Sequence, residues 1–182
     1  MVFKGKCMLG FLDNSLGFKA QILLFLALLF CDITLAQQTG YPRVTGYASV
    51  THPIATWNTD GMSYNLEDNY TVIFPIGLNL MKSERFGFSF ELAPSIKADR
   101  NSAKVTSILF HPGAVFRFDR GVGLNARLAF DTNGRFGFTP VFTKTVIRRK
   151  DHSYAVSLPF PFRFGAEQPF SVGSGLQLGV SF

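Results

Sequence analysis

The chain has little charge for its size, and it has no cysteine after residue 31. Asp, Glu, Lys and Arg make up 16% of its 182 residues, against about 25% in an ordinary soluble domain. Hydrophobic residues nevertheless make up 47%, and 21 residues are phenylalanine. This composition excludes a disordered chain, a charged coiled coil and a nucleic-acid binder built on basic tracts, although the formal net charge is +6.

The longest apolar run, residues 22–30, is too short to cross a bilayer as a helix, which needs about 20 residues. It follows a lysine-containing stretch and precedes small residues that end at Ala36. A basic region, an apolar region and a small-residue cleavage site, in that order, are typical of a secretory signal peptide. We therefore predict a signal peptide over 1–36 and a mature chain over 37–182; the alternative is an N-terminal helix that packs on the fold.

Both cysteines, Cys7 and Cys31, lie in the predicted signal peptide. The mature chain would then have no disulfide, zinc-thiolate site or cysteine nucleophile. Cys31 is a candidate lipidation site, although Phe30 is a poor residue to precede one. The sequence also shows no metal-ligand spacing and no phosphate-binding glycine loop, so no cofactor is expected.

The mature part shows the period-two alternation of β-strands and no convincing helical pattern. In its last segment the apolar face consists of Phe170, Val172, Leu176, Leu178, Val180 and Phe182. Seven similar segments precede it from Arg43 onwards, and each is about as long as the ~9–11 residues of a tilted membrane-spanning strand. An even number of strands places both termini on one side, as in bacterial outer-membrane barrels.

The two faces of these segments differ in a way that indicates which one points outwards. One face carries mostly Gly, Ser, Thr, Ala, Asn and Pro, which suit the crowded interior of a small barrel. The other face is rich in phenylalanine, which is favourable in lipid, whereas a soluble ligand-binding barrel would point it inwards. We therefore predict an all-β fold: a single antiparallel up-and-down eight-stranded transmembrane β-barrel after a cleaved signal peptide.

The C-terminal residues resemble the terminal signal of outer-membrane barrel proteins, an aromatic residue preceded by apolar residues at every second position. The residues that carry this resemblance are Leu176, Leu178, Val180 and Phe182. The resemblance is to the general class of small bacterial outer-membrane β-barrel proteins, not to one subfamily. It implies recognition by the barrel-insertion machinery and residence in the outer membrane, surrounded by lipid that includes lipopolysaccharide.

Prolines within the strand patterns depart from that class, because each removes a hydrogen bond from a ladder. We expect bulges or strand ends at these positions: Pro94, Pro112, Pro140, Pro159 and Pro161.

The predicted inner face carries a few ionisable residues, which we predict to form a lumenal polar cluster: Glu91, His111, Arg127, Arg117 and Arg163. The turn positions place Glu91 opposite or diagonal to His111, and Arg127 opposite Gly113. Because a buried charge must be paired, one carboxylate among several cations suits an ion-pair cluster that fills the barrel.

The longest predicted external loop covers residues 55–69 and is the candidate contact with an external partner. Its candidate contact residues are Trp57, Asp60, Tyr64, Glu67 and Asp68.

The expected function is a non-catalytic structural or surface-interaction role in the outer membrane. A narrow pore or transport component is the main alternative. A lipid-modifying barrel enzyme is a further one, but the adjacent pair His152-Ser153 lies in a predicted turn, and no Ser–acid pair is evident beside His52. A soluble ligand-binding barrel remains the fourth.

Overall fold

The computed structural model describes residues 40–67, 69–99, 102–165 and 169–182, so the predicted signal peptide lies outside the described residues. These residues form one antiparallel sheet of 11 strands. The strands are β1 (Arg43–Asn58), β2 (Gly61–Tyr64), β3 (Tyr70–Ile73), β4 (Ile76–Met81), β5 (Phe86–Ala98), β6 (Ala103–Arg117), β7 (Val122–Asp131), β8 (Phe136–Arg148), β9 (Ser153–Pro159), β10 (Phe162–Phe164) and β11 (Ser171–Ser181). In this part of the chain, no helix is long and apolar enough to span a bilayer.

The strands follow one another up and down around a ring. Each long strand pairs with its neighbours in the sequence, from β5 through β6, β7 and β8 to β9. The last strand, β11, pairs with β9 on one side and with β1 on the other, where the register runs from Tyr47 opposite Ser181 to Asn58 opposite Ser171. The first and last strands therefore meet edge to edge.

The structure has 11 strands where the sequence pattern predicted eight, and two prolines explain most of the difference. Because proline has no backbone N–H, Pro75 separates β3 from β4 and Pro161 separates β9 from β10. Each pair still occupies one position in the ring, since β3 and β4 both pair with β1 and β5, and β9 and β10 both pair with β8 and β11. The remaining strand, β2, folds back on the end of β1.

The other four prolines of the predicted strand segments lie within strands or at their ends. Pro94 lies in β5 just before a register shift between Ser95 and Ile96, and Pro140 lies in β8 and accepts a hydrogen bond from the Phe160 N–H at 3.0 Å. Pro112 interrupts the pairing of β6 with β7, which is regular before and after it. Pro159 is the last residue of β9. The prolines thus remove hydrogen bonds from individual strand pairs, but the neighbouring strands remain paired.

The ring has an unusual distribution of polarity, which is clearest on β5. Its outward residues Phe88, Phe90 and Leu92 are 43%, 50% and 55% exposed. The residues between them are buried, with Ser89 at 0%, Glu91 at 3% and Ala93 at 1% exposure. The same arrangement recurs around the ring, whose buried polar residues are Ser49, Thr51, Ser89, Glu91, Ser95, His111, Arg127, Thr139, Ser157, Ser171 and Gln177. Polar groups therefore lie inside the ring together with a few apolar side chains such as Met81 and Leu109, and most large apolar groups lie outside.

The C-terminal residue completes the seam between β11 and β1. The N–H and C=O of Phe182 bond to the C=O and N–H of Gly46, each at 2.9 Å. A Cβ on Gly46 would lie 2.5 Å from the ring of Phe182. The ring can therefore pack against the backbone at this position because glycine has no side chain. Leu176, Leu178 and Phe182 are exposed on the outer face of the seam.

Candidate functional site

The interior contains one group of buried ionisable side chains, contributed by neighbouring strands. Glu91 of β5 lies opposite His111 of β6, and Arg127 of β7 lies opposite Gly113 of β6. The turn positions predict Arg127 opposite Gly113 and Glu91 opposite or diagonal to His111; a bulge between Ser95 and Ile96 sets Glu91 directly opposite His111. All three ionisable side chains are buried.

Both oxygens of the Glu91 carboxylate have partners. His111 Nδ1 lies 2.7 Å from Oε1, and Arg127 Nη1 lies 2.9 Å from Oε2. The hydroxyl of Tyr47 also donates to Oε2, at 2.8 Å. The carboxylate is therefore held by three groups from three strands, which gives a buried charge the partners it requires.

Tyr47 belongs to this site, although the sequence analysis missed it. Its hydroxyl accepts a hydrogen bond from Arg127 Nη2 at 3.0 Å, and its ring centroid lies 5.6 Å from the Arg127 guanidinium carbon. A second interaction joins Arg127 Nη2 to Ser89 Oγ at 3.4 Å. The signal was present in the sequence, because Tyr47 is an aromatic residue between Thr45 and Ser49 on the small-residue face of β1.

Arg163 extends the group on the other side of His111. Its Nη2 lies 3.3 Å from His111 Nε2, and its Nη1 donates to Thr139 Oγ1 at 3.0 Å. Because a guanidinium cannot accept a hydrogen bond, the contact with Arg163 is a hydrogen bond only when Nε2 accepts, which leaves the Nδ1 proton directed at Glu91. We refer to Tyr47, Glu91, His111, Arg127 and Arg163 as the interior cluster. It has one carboxylate and two guanidinium groups.

Two glycines create the space for the large side chains of the interior cluster. Gly77 lies opposite Glu91, and a Cβ there would collide with the hydroxyl and Cζ of Tyr47. A Cβ on Gly113 would lie 2.7 Å from Arg127 Cα and 2.8 Å from Arg127 Cγ. The strands therefore carry glycine, which has no side chain, at the positions against which the large side chains of the interior cluster pack.

The structure does not bring Arg117 into the interior cluster. Arg117 is six residues beyond His111 on β6, and at ~3.3 Å per residue this separation is roughly 20 Å. It lies near the lower end of the ring, which we define as the end where β1 begins and β11 ends. The alternating pattern correctly predicted that Arg117 lies on the inner face, but it contains no information about how far along the axis of the ring a residue lies.

The predicted loop over residues 55–69 is largely a β-hairpin, which corrects the sequence analysis. β1 continues to Asn58 and pairs with β2 through a two-residue turn. The Asp60 N–H donates to Asn58 Oδ1 at 3.0 Å. The dipeptide Asp60-Gly61 is a common hairpin signal that was available in the sequence, although the two turn residues here are Thr59 and Asp60.

This hairpin presents part of the predicted contact set at the upper end of the ring, opposite the lower end. Trp57 and Tyr64 are exposed, and Glu67 Oε2 accepts the Tyr64 N–H at 3.1 Å. Asp68 lies outside the described residues.

The histidines outside the interior cluster do not pair with a serine in the described ranges. His152 packs edge-on against Tyr154, while the neighbouring Ser153 Oγ is 3.0 Å from Ser181 Oγ. The ring of His52 lies 5.5 Å from that of Tyr70. The described residues also contain no group of three or more His, Cys, Asp or Glu that could hold a metal ion.

The interior cluster lies between two spaces inside the ring. The space towards the lower end has a volume of about 740 Å³ and is open to solvent. The space on the upper side has about 70 Å³ and is lined by residues that include Ile73, Pro75, Leu109 and Pro161. Arg127 lines both spaces, so the cluster separates them.

Comparisons with known proteins identify no family for this chain. No family model matches the sequence, and no curated protein matches it. Among solved structures, one similar chain is described as the "Solution NMR structure of de novo designed TMB2.3". It is 14% identical, with a TM-score of 0.44, and the alignment covers 80% of this chain and 97% of that chain.

Proposed function

We propose that the chain is an integral outer-membrane β-barrel protein with a structural or surface-interaction role and no catalytic activity. The observation that carries the proposal is the inverted polarity of the ring. Large apolar side chains cover its outside, while serine, threonine and an ion-paired cluster fill its inside. Small side chains and ion pairs inside, with an apolar outer surface, are typical of a small membrane-spanning barrel.

The outer surface would be unfavourable in water. Monomeric soluble proteins rarely expose contiguous apolar patches larger than a few hundred Å². Here the exposed apolar residues occur on every long strand, for example Val50 on β1, Phe90 on β5, Phe110 on β6 and Leu178 on β11. Lipid hydrocarbon removes the cost of hydrating such a surface.

The positions of the exposed aromatic residues also support a membrane location. Phe118, Tyr154 and Phe182 lie near the lower end, and Tyr70, Phe136 and Phe170 lie near the upper end. Aromatic residues at both interfaces of an apolar band are typical of outer-membrane barrels. The apolar C-terminal pattern supports handling by the barrel-insertion machinery, with lipid, including lipopolysaccharide, as the surroundings.

The exposed hairpin of β1 and β2 is the proposed contact with an external partner. It extends at the upper end, opposite the start of β1 and the end of β11, and carries Trp57, Met62 and Tyr64 on its surface.

Membrane fractionation combined with gel mobility tests this function. We expect the mature protein to remain in the outer-membrane fraction after a carbonate wash and to change its mobility in detergent gels on boiling, because a folded barrel migrates differently from the unfolded chain. Recovery of a folded protein in the soluble periplasm would refute the proposal.

A narrow pore is the second candidate, because the lower space is wide and open. The interior cluster favours a closed barrel, since Glu91 and Arg127 join side chains across β1, β5, β6 and β7. We therefore expect no steady ion current from the wild-type protein in planar bilayers. A steady wild-type current that persists in the exposed-turn control Glu84→Gln, but is abolished by Glu91→Gln while that variant keeps the heat-modifiable mobility of a folded barrel, would establish the pore instead.

A further inference from the structure

The lower end of the ring collects arginines from three different strands. Arg43 begins β1, Arg117 ends β6 and Arg148 ends β8. All three are exposed and line the 740 Å³ space. We call Arg43, Arg117 and Arg148 the mouth arginines. Arg149 and Lys150 of the following turn line the same space.

A β-bulge directs Arg148 to the interior. Regular alternation after Thr145 would place residue 148 on the outer face, but the pairing of β8 with β9 shifts between Thr145 and Ile147. Two consecutive residues, Val146 and Ile147, are exposed as a result. Arg148 then lies opposite Ser153, whose hydroxyl meets that of Ser181 across the next pair of strands. Redirecting a side chain is a common use of a bulge.

The mouth arginines have no carboxylate partner among the described residues. The ion pairs formed in that part of the chain are those of the interior cluster and one between Arg85 and Asp119 at 3.5 Å. Glu84 and Asp151 also line the space, but neither lies within 4.0 Å of a mouth arginine. The charges that act on Arg117 include those of Arg43 and Arg148. The lining of the space therefore carries an excess of positive charge, with eight Arg or Lys residues against three Asp or Glu residues.

The chemistry of the lining indicates the kind of ligand that would compensate this charge. Guanidinium groups match the geometry of phosphate oxygens and bind them with paired hydrogen bonds. Between the mouth arginines and Arg127, the lining includes the uncharged polar residues Thr45, Asn79, Asn125 and Thr143. The volume lies in the range of about 300–1,000 Å³ that is usual for small-molecule sites.

We propose that the lower mouth of the ring binds a phosphate group, held by Arg43, Arg117 and Arg148. A soluble phosphate ester and a lipid headgroup both offer this chemistry. The ring geometry alone defines the site, so the inference goes beyond the proposed structural role and does not depend on it.

Calorimetric titration of the purified full chain in an uncharged detergent tests the proposal. The soluble probe is glucose 6-phosphate, with glucose as its uncharged match. The headgroup probe is dihexanoyl phosphatidylglycerol, added below its micelle concentration. Binding of either probe is expected to weaken as sodium chloride is raised, because salt screens exposed charges.

Two variants identify the site, and a third controls for net charge. Arg148→Gln and Arg117→Gln are each expected to weaken binding roughly 10-fold or more, the loss expected for one hydrogen bond between charged groups. Lys104→Gln removes one positive charge at the upper end and is expected to leave binding unchanged. Heat-modifiable gel mobility of each variant shows separately that the barrel has folded.

Each outcome decides the proposal. Binding of glucose 6-phosphate that depends on Arg117 and Arg148 supports a site for soluble esters, and binding of the headgroup probe alone, with the same dependence, assigns the site to lipid. Absence of binding for both probes refutes the proposal, as does an equal loss in Lys104→Gln. Either refutation would leave the membrane location intact, because mobility and fractionation report on that separately.

Discussion

Glu91→Gln is expected to lower the free energy of unfolding by about 3–5 kcal/mol, the usual cost of removing one partner from a buried ion pair. The carboxylate is the single acidic group of the interior cluster, and it accepts from Tyr47, His111 and Arg127. Glutamine keeps the shape and removes the charge. The guanidinium of Arg127 would then remain buried without a counter-charge.

Urea unfolding in detergent measures this effect, because Trp57 is the single tryptophan of the chain and reports on the β1–β2 hairpin. The matched control is Glu84→Gln in an exposed turn, with an expected change within about 0.5 kcal/mol. Adding Arg127→Met to Glu91→Gln is expected to recover much of the loss, since it removes the unpaired charge. Equal midpoints for Glu91→Gln and the wild-type protein would contradict the account of the cluster.

Phe90→Arg is expected to destabilise the folded protein in lipid by roughly 2–4 kcal/mol, the range for arginine at the midplane of a membrane barrel. Phe90 is half exposed on the outer face of β5, next to the buried Glu91. The opposite neighbours Leu78 and Pro112 lie in the interiors of their own strands, which places Phe90 at mid-depth.

Position along the strand supplies the control for this substitution. Phe118 is also exposed, but it lies beside the turn at the lower end, so Phe118→Arg is expected to cost only about 0–1 kcal/mol. Urea titrations in phosphatidylcholine vesicles measure both variants. A water-facing surface would give the opposite result, in which Phe90→Arg leaves stability unchanged and improves solubility.

The sequence predicted the faces of the strands and part of the interior cluster, because both depend on alternation and turn positions. Taking Ala98 and Ala103 as the ends of a hairpin brings Glu91 within one position of His111, and the bulge between Ser95 and Ile96 then sets the two residues directly opposite each other. Arg117 shows the limit of that reasoning, since alternation defines a face and not a depth. Tyr47 was missed because the first of the eight predicted segments has the weakest apolar pattern. Alternation along β1 nevertheless places Tyr47 on the inner face.

Local backbone features account for the remaining differences. A bulge shifts every later side chain to the other face, and it has no clear signature in single-sequence alternation. Arg148 therefore faces the interior although its position in the pattern indicates the outside. Pro75 and Pro161 divide two of the predicted segments because each lacks an N–H, but the pairing partners on both sides keep the pieces in place.

The central claim, that the outer apolar face contacts hydrocarbon, is tested most directly by the fluorescence of a single tryptophan placed on that face. Phe90→Trp in a Trp57→Phe background puts the probe at mid-depth beside the interior cluster. The account predicts strong quenching by lipids brominated near the ends of their acyl chains and weak quenching by acrylamide in the water. Strong quenching by acrylamide, without quenching by the brominated lipids, would contradict it.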